Sequence, residues 1–80
     1  MRVRLVFLGR LSDLAGGPER QVEAVSGSTV AALLELLPPE LAADLHSPKV
    51  RIAVGGSLGG LDQVVADGDE VAFLPPVSGG

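Results

Sequence analysis

The sequence predicts an α+β fold: a mixed sheet of four to five strands with one main helix packed on one face. Three observations lead there. Period-two apolar alternation opens and closes the chain, in Arg2 to Leu8 and in Glu70 to Leu74. One helical stripe lies between them: Val30, Leu33, Leu34 and Leu37, at i, i+3, i+4 and i+7. The chain is 80 residues long, enough for one domain with a single modest core.

Each element has its own signal. In the first strand Val3, Leu5 and Phe7 share one face, while Arg2, Arg4, Val6 and Leu8 share the other. Arg10 to Ala15 has room for a helical turn before the breaker cluster Gly16-Gly17-Pro18. Gln21 to Val25 reads as a short second strand with Val22 and Ala24 inward. Thr29 is a good N-cap for the main helix, and Pro38-Pro39 ends that helix near Leu37. Pro39 also suits the first position of a second short helix, Glu40 to Leu45.

Val50 to Val54 is a third strand, followed by Gly55-Gly56, a tight hairpin turn. Ser57 to Ala66 reads as a short strand and a loop of undecided form. Asp67-Gly68-Asp69 is a turn before the last strand, in which Val71 and Phe73 face one way and Ala72 and Leu74 the other. With the first and last strands side by side, Val3, Leu5, Phe7, Val71 and Phe73 meet under the helix. That arrangement is a β-grasp. The folded domain is expected over residues 1–74, with 75–80 a flexible extended tail.

Composition excludes several classes. There is no cysteine, hence no disulfide, thiolate ligand or cysteine nucleophile. The net charge of −4 argues against a nucleic-acid partner, which wants a basic stripe. The longest apolar run, Val30 to Leu34, is far short of a membrane span of roughly 20 residues. The first strand begins at once, which leaves no room for a signal peptide and points to a cytoplasmic protein.

Conventional catalytic equipment is missing. His46 is the only histidine and precedes Ser47-Pro48; as a general base it would need a nucleophile and an orienting carboxylate, and as a metal site it lacks companions. Gly55 to Gly60 is rich in glycine but lacks the Lys-Ser/Thr ending and the long helix of a phosphate loop. Asp67, Asp69 and Glu70 do not have calcium-loop spacing.

The end of the chain is the stronger candidate. Pro75-Pro76 stops the last strand and starts an extended arm, because proline fixes φ and cannot donate to a ladder. The arm closes on Gly79-Gly80, which can thread a narrow channel. A carboxylate is a poor electrophile until adenylated, so ATP and sulfur would have to come from partner proteins. Val6, Leu8, Ala72 and Leu74 lie opposite the helix-covered face and read as a docking patch.

The run Asp67-Gly68-Asp69-Glu70-Val71-Ala72-Phe73-Leu74-Pro75-Pro76-Val77-Ser78-Gly79-Gly80 closely resembles the C-terminus of molybdopterin synthase small subunits, a ubiquitin-like sulfur-carrier family. Leu5-Val6-Phe7-Leu8, Leu14-Ala15-Gly16 and Thr29 to Leu37 extend the resemblance more loosely over the chain.

The resemblance implies a non-catalytic subunit that binds no cofactor of its own. A ubiquitin-activating-type enzyme would adenylate Gly80, sulfur transfer would make a thiocarboxylate, and the tail would enter the large synthase subunit to sulfurate a pterin precursor. It implies that Val77, Ser78 and Gly79 thread the partner's active site. It also implies that Leu8, Leu74, Pro75 and Pro76 are contact residues, and that two small and two large subunits assemble as a heterotetramer. Carriers for thiamine or tRNA thiolation use the same chemistry. A ubiquitin-like protein modifier, joined through Gly80 to a lysine, is the alternative of another class. The family often has Arg-Glu where this chain has Ser12-Asp13, which leaves a partner salt bridge there open.

Overall fold

The computed structural model describes residues 1–76. The elements run β1 (Arg2–Phe7), α1 (Arg10–Ala15), β2 (Glu19–Glu23), α2 (Val30–Leu34), α3 (Pro39–Leu45), β3 (Arg51–Val54), β4 (Ser57–Gly59) and β5 (Glu70–Leu74). The five strands form one sheet in the order β2-β1-β5-β3-β4. β1 and β5 pair in parallel, with Phe7 opposite Phe73, and the other neighbours are antiparallel. This is the β-grasp that the alternation predicted.

The inner face carries the core. Val3, Leu5, Phe7, Val71 and Phe73 are at most 1% exposed, and Val30, Leu33 and Leu34 of α2 are wholly buried with them. The rings of Phe7 and Phe73 stack with centroids 5.7 Å apart. Such offset aromatic pairs add to the area they bury. Leu11 and Ala15 from α1 and Leu41 and Leu45 from α3 complete the apolar layer. No buried side-chain polar atom among the described residues lacks a partner, so packing and paired backbone account for the core.

Three expectations shift. β2 starts two residues early, at Glu19 rather than Gln21. The cause is its register with β1, which the Pro18 carbonyl extends by accepting the Phe7 N–H at 2.8 Å. Val25 therefore falls beyond the strand and is 80% exposed. The main helix is also shorter than its stripe, because α2 ends at Leu34. After it, Glu35, Leu36 and Leu37 bond back three residues, to Ala32, Leu33 and Leu34. That tightened turn keeps Leu37 buried ahead of the prolines. β3 begins at Arg51, one residue late.

The stretch 58–66 has a definite role. Thr29 caps α2 through its hydroxyl, which accepts the Ala32 N–H at 3.2 Å. The two preceding N–H groups, of Val30 and Ala31, are taken by the carbonyls of Gln63 and Leu61 at 3.0 and 2.9 Å. A helix leaves its first N–H groups without internal partners, and here a capping side chain and the loop supply them. Val65, 1% exposed, anchors the loop in the core. Gly55 and Gly56 have φ of 59° and 87°, the pair of positive values that a two-residue hairpin turn needs. No helix among the described residues is long and apolar enough to cross a membrane.

Candidate functional site

The outer face of the sheet is arranged in rows set by strand register. In one row Leu58, Ala53, Ala72, Val6 and Glu19 stand side by side across all five strands. In the next, Arg51 is opposite Leu74. Leu8 follows β1 beside Leu74, and its N–H donates to the Phe73 carbonyl at 3.1 Å. The expected neighbourhood of Leu8 and Leu74 is therefore present.

Among these residues Leu8 is 41% exposed and Leu58 is 69% exposed. Leu58 widens the apolar patch, while Leu61 packs against the core. The alternation could have placed Leu58 here only if β4 had been recognised as a strand with a fixed register.

The opposite end of the same face is charged. Arg2 Nε lies 3.1 Å from Glu23 Oε1. Arg4 bonds the Glu70 carboxylate and sits 4.0 Å from that of Glu19. The hydrogen bond that Arg4 donates to Glu70, then the charge of Glu70 and that of Glu19, hold the Arg4 guanidinium further into its charged form. At the apolar end Arg51 is exposed and has no such carboxylate partner among the described residues.

β5 ends at Leu74, so the chain leaves the sheet at the apolar end. Pro75 and Pro76 are half-buried. Pro76 lines a shallow groove with Leu11, Leu14 and Val50. Sequence reasoning missed one contact here: a Cβ on Gly9 would meet Pro75 Cγ at 3.0 Å. The signal available was a glycine directly ahead of α1. The expectations for Val77, Ser78, Gly79 and Gly80 lie outside the described residues.

The weaker candidates have structural explanations. His46 is exposed and closes α3, its N–H donating to the Ala42 carbonyl. The carboxylate of Asp67 accepts the Arg2 N–H at 2.8 Å, and that of Asp69 accepts the Ala66 N–H at 2.9 Å. Both thus hold the turn ahead of β5. Ser12 and Asp13 lie within α1, and Asp13 is exposed.

Comparison with known proteins gives a consistent result. The sequence profile of the ThiS family matches residues 5–80. The molybdopterin synthase sulfur carrier subunit of Escherichia coli is 35% identical over 81 residues, which are 98% of this chain and 99% of that protein. The crystal structure of SAMP1 from Haloferax volcanii has a TM-score of 0.86 at 25% identity, with both chains covered completely. A protein–protein complex of subunits 1 and 2 of the molybdopterin-converting factor from Helicobacter pylori matches with a TM-score of 0.68 at 25% identity, again over the whole of both chains.

Proposed function

The chain belongs to the ThiS family, and from that premise we propose that it is the sulfur carrier of molybdopterin synthesis. Residues 1–74 act as a docking domain and 75–80 as the arm that carries the reacting group. The observation that carries this reading is the coincidence of two features. The apolar end of the outer face, Leu8 with Leu74, is where β5 releases the chain toward Gly80. A docked partner would receive the arm at the same place.

The chemistry balances through partners. The Gly80 carboxylate attacks the α-phosphorus of ATP, pyrophosphate leaves, and an acyl adenylate forms. A sulfur donor then displaces AMP, and Gly80 ends as a thiocarboxylate. In the large subunit of a molybdopterin synthase the sulfur passes to a pterin precursor, and the carboxylate returns with an oxygen from water. This chain contributes the carried group, with Val77, Ser78 and Gly79 threading the partner's active site and Leu8, Leu74, Pro75 and Pro76 meeting its surface. ATP and the sulfur source belong to the partners, a ubiquitin-activating-type enzyme among them. Support for a large-subunit partner is the similarity to one component of the Helicobacter pylori complex. A cytoplasmic setting and a heterotetramer of two small and two large subunits complete the proposal.

The test is the intact mass of this chain made together with its adenylating enzyme and a sulfur donor. The expected result is a gain equal to sulfur replacing one oxygen, lost when Gly80 is deleted. An unchanged mass, under conditions that charge a known carrier, would overturn the reading. A second reading is favoured by the likeness to SAMP1, a small archaeal modifier protein. It predicts lysine-linked adducts in a lysate that depend on Gly80.

A further inference from the structure

We propose that Gly9 is a positioning residue: its bare Cα is the seat on which the Pro75 ring rests, and that seat sets the direction in which the arm leaves the domain. The inference rests on the carrier reading above and adds to it the element that aims the reacting group.

Gly9 sits at φ 56° and ψ −136°. Side chains rarely adopt that conformation, and glycine reaches it without steric cost. Its position is held from both directions. On one side, the N–H of Leu8 donates to the Phe73 carbonyl at 3.1 Å, which ties the segment to the end of β5. On the other, the Gly9 carbonyl accepts the Ser12 N–H at 3.1 Å and so opens α1. Gly9 therefore cannot move without disturbing either the sheet or the helix. Pro75 stands two residues after Phe73, and a Cβ on Gly9 would approach its Cγ to 3.0 Å and its Cδ to 3.8 Å. The first distance is tighter than ordinary van der Waals contact, so one partner would have to yield.

The ring is the part that can yield, because it lies beyond the last strand. Proline's φ is fixed, so shifting the ring turns the chain that follows it. The next residue, Pro76, faces the groove with Leu11, Leu14 and Val50. From Pro76 to Gly80 is four residues, at most about 14 Å of extended chain. A shift of the ring therefore changes where the arm sets out toward the partner's site, and a misplacement of about 1 Å at a reacting atom can cost on the order of 100-fold in rate.

A double-mutant cycle on adenylation separates this role from backbone strain. In the unaltered chain, Gly9→Ala should lower kcat/KM for pyrophosphate release by about tenfold or more. With Pro75→Ala the Cγ and Cδ atoms are gone, and adding Gly9→Ala should change the rate less than about twofold. Loss of melting temperature from the positive φ should be alike in both backgrounds. Equal rate losses in the two backgrounds would overturn the proposal, as would a folded Gly9→Ala chain with an unchanged rate. Should Gly9→Ala fail to fold, or should the unaltered chain not be adenylated at all, a nuclear Overhauser contact between the Gly9 Hα and Pro75 Hγ protons decides it. Its presence in the unaltered protein supports the seat; its absence there overturns it. Failure of adenylation with the contact intact would count against the carrier function alone.

Discussion

At one end of the outer sheet face Arg2 and Arg4 reach Glu23, Glu19 and Glu70. At the other, Leu8, Leu74, Val6, Ala72, Ala53 and Leu58 make an apolar surface with Arg51 at its margin. The two ends share β1 and β5, with β2 added at the charged end and β3 and β4 at the apolar end, and they differ in what they leave unsatisfied. The charged end pairs its groups within the chain and can face water as it is. The apolar end exposes leucines, and Arg51 there has no carboxylate partner among the described residues. A surface whose needs are met internally has little to gain from a partner, and one left open gains by being covered. The arm leaves from the open end.

Putting a charge into the apolar end should give the largest effect. Leu8→Asp is expected to weaken binding to the large synthase subunit by about 30-fold or more, since a buried unpaired carboxylate costs about 2 kcal/mol or more at an interface core. The fold should survive, because Leu8 is 41% exposed. Titration calorimetry with a far-ultraviolet melt of the same sample checks both halves; intact affinity would remove the apolar end from the interface. Leu58→Asp should do less, about three- to tenfold, because Leu58 lies on the edge strand β4 at the rim of the patch. Arg51→Glu should act chiefly on the association rate, with an effect that shrinks as salt is added. A slower rate at low salt that recovers at high salt would identify an acidic group opposite it.

Much of this contrast was legible in the sequence, for a physical reason. A strand side chain's face follows from counting by two, so Val6, Leu8, Ala72 and Leu74 were placed outward before any pairing was known. The side-by-side placement of the end strands followed from the need to bury Phe7 and Phe73 together, while their parallel direction is shown only by the register. What escaped depended on register and on loops. Leu58 joins the patch because β4 pairs Leu58 with Ala53, and a three-residue strand leaves too weak a periodic signal to place. The early start of β2 is set by Pro18 accepting a bond from Phe7, which no pattern in β2 itself announces. The main helix stopped short of its own stripe because the turn before Pro38 tightens, and a stripe of apolar residues does not distinguish an α-turn from a 3₁₀ turn. The seat under Pro75 joins residues 66 positions apart, a contact that neither local sequence contains.

The smallest expected effect belongs to the charged end, and it is the control that gives the others meaning. Arg4→Ala removes the guanidinium bonded to Glu70 and facing Glu19. All three side chains are about half exposed, so water replaces much of what is lost. Large-subunit affinity should stay within about twofold of the unaltered chain. Any loss of melting temperature should fade as salt is added, because exposed pairs are screened within about 10 Å at ordinary ionic strength. The pH behaviour follows from the sign of the shift. Glu70 and Glu19 raise the Arg4 pKa on folding, so this contribution is present throughout the neutral range. Titration of Arg4 itself removes it in strong alkali, as the pH climbs through the folded value. A large affinity loss in Arg4→Ala, comparable with that of Leu8→Asp, would mean that the partner reads the whole outer face. The division between a self-satisfied end and an open one would then fail as an account of docking.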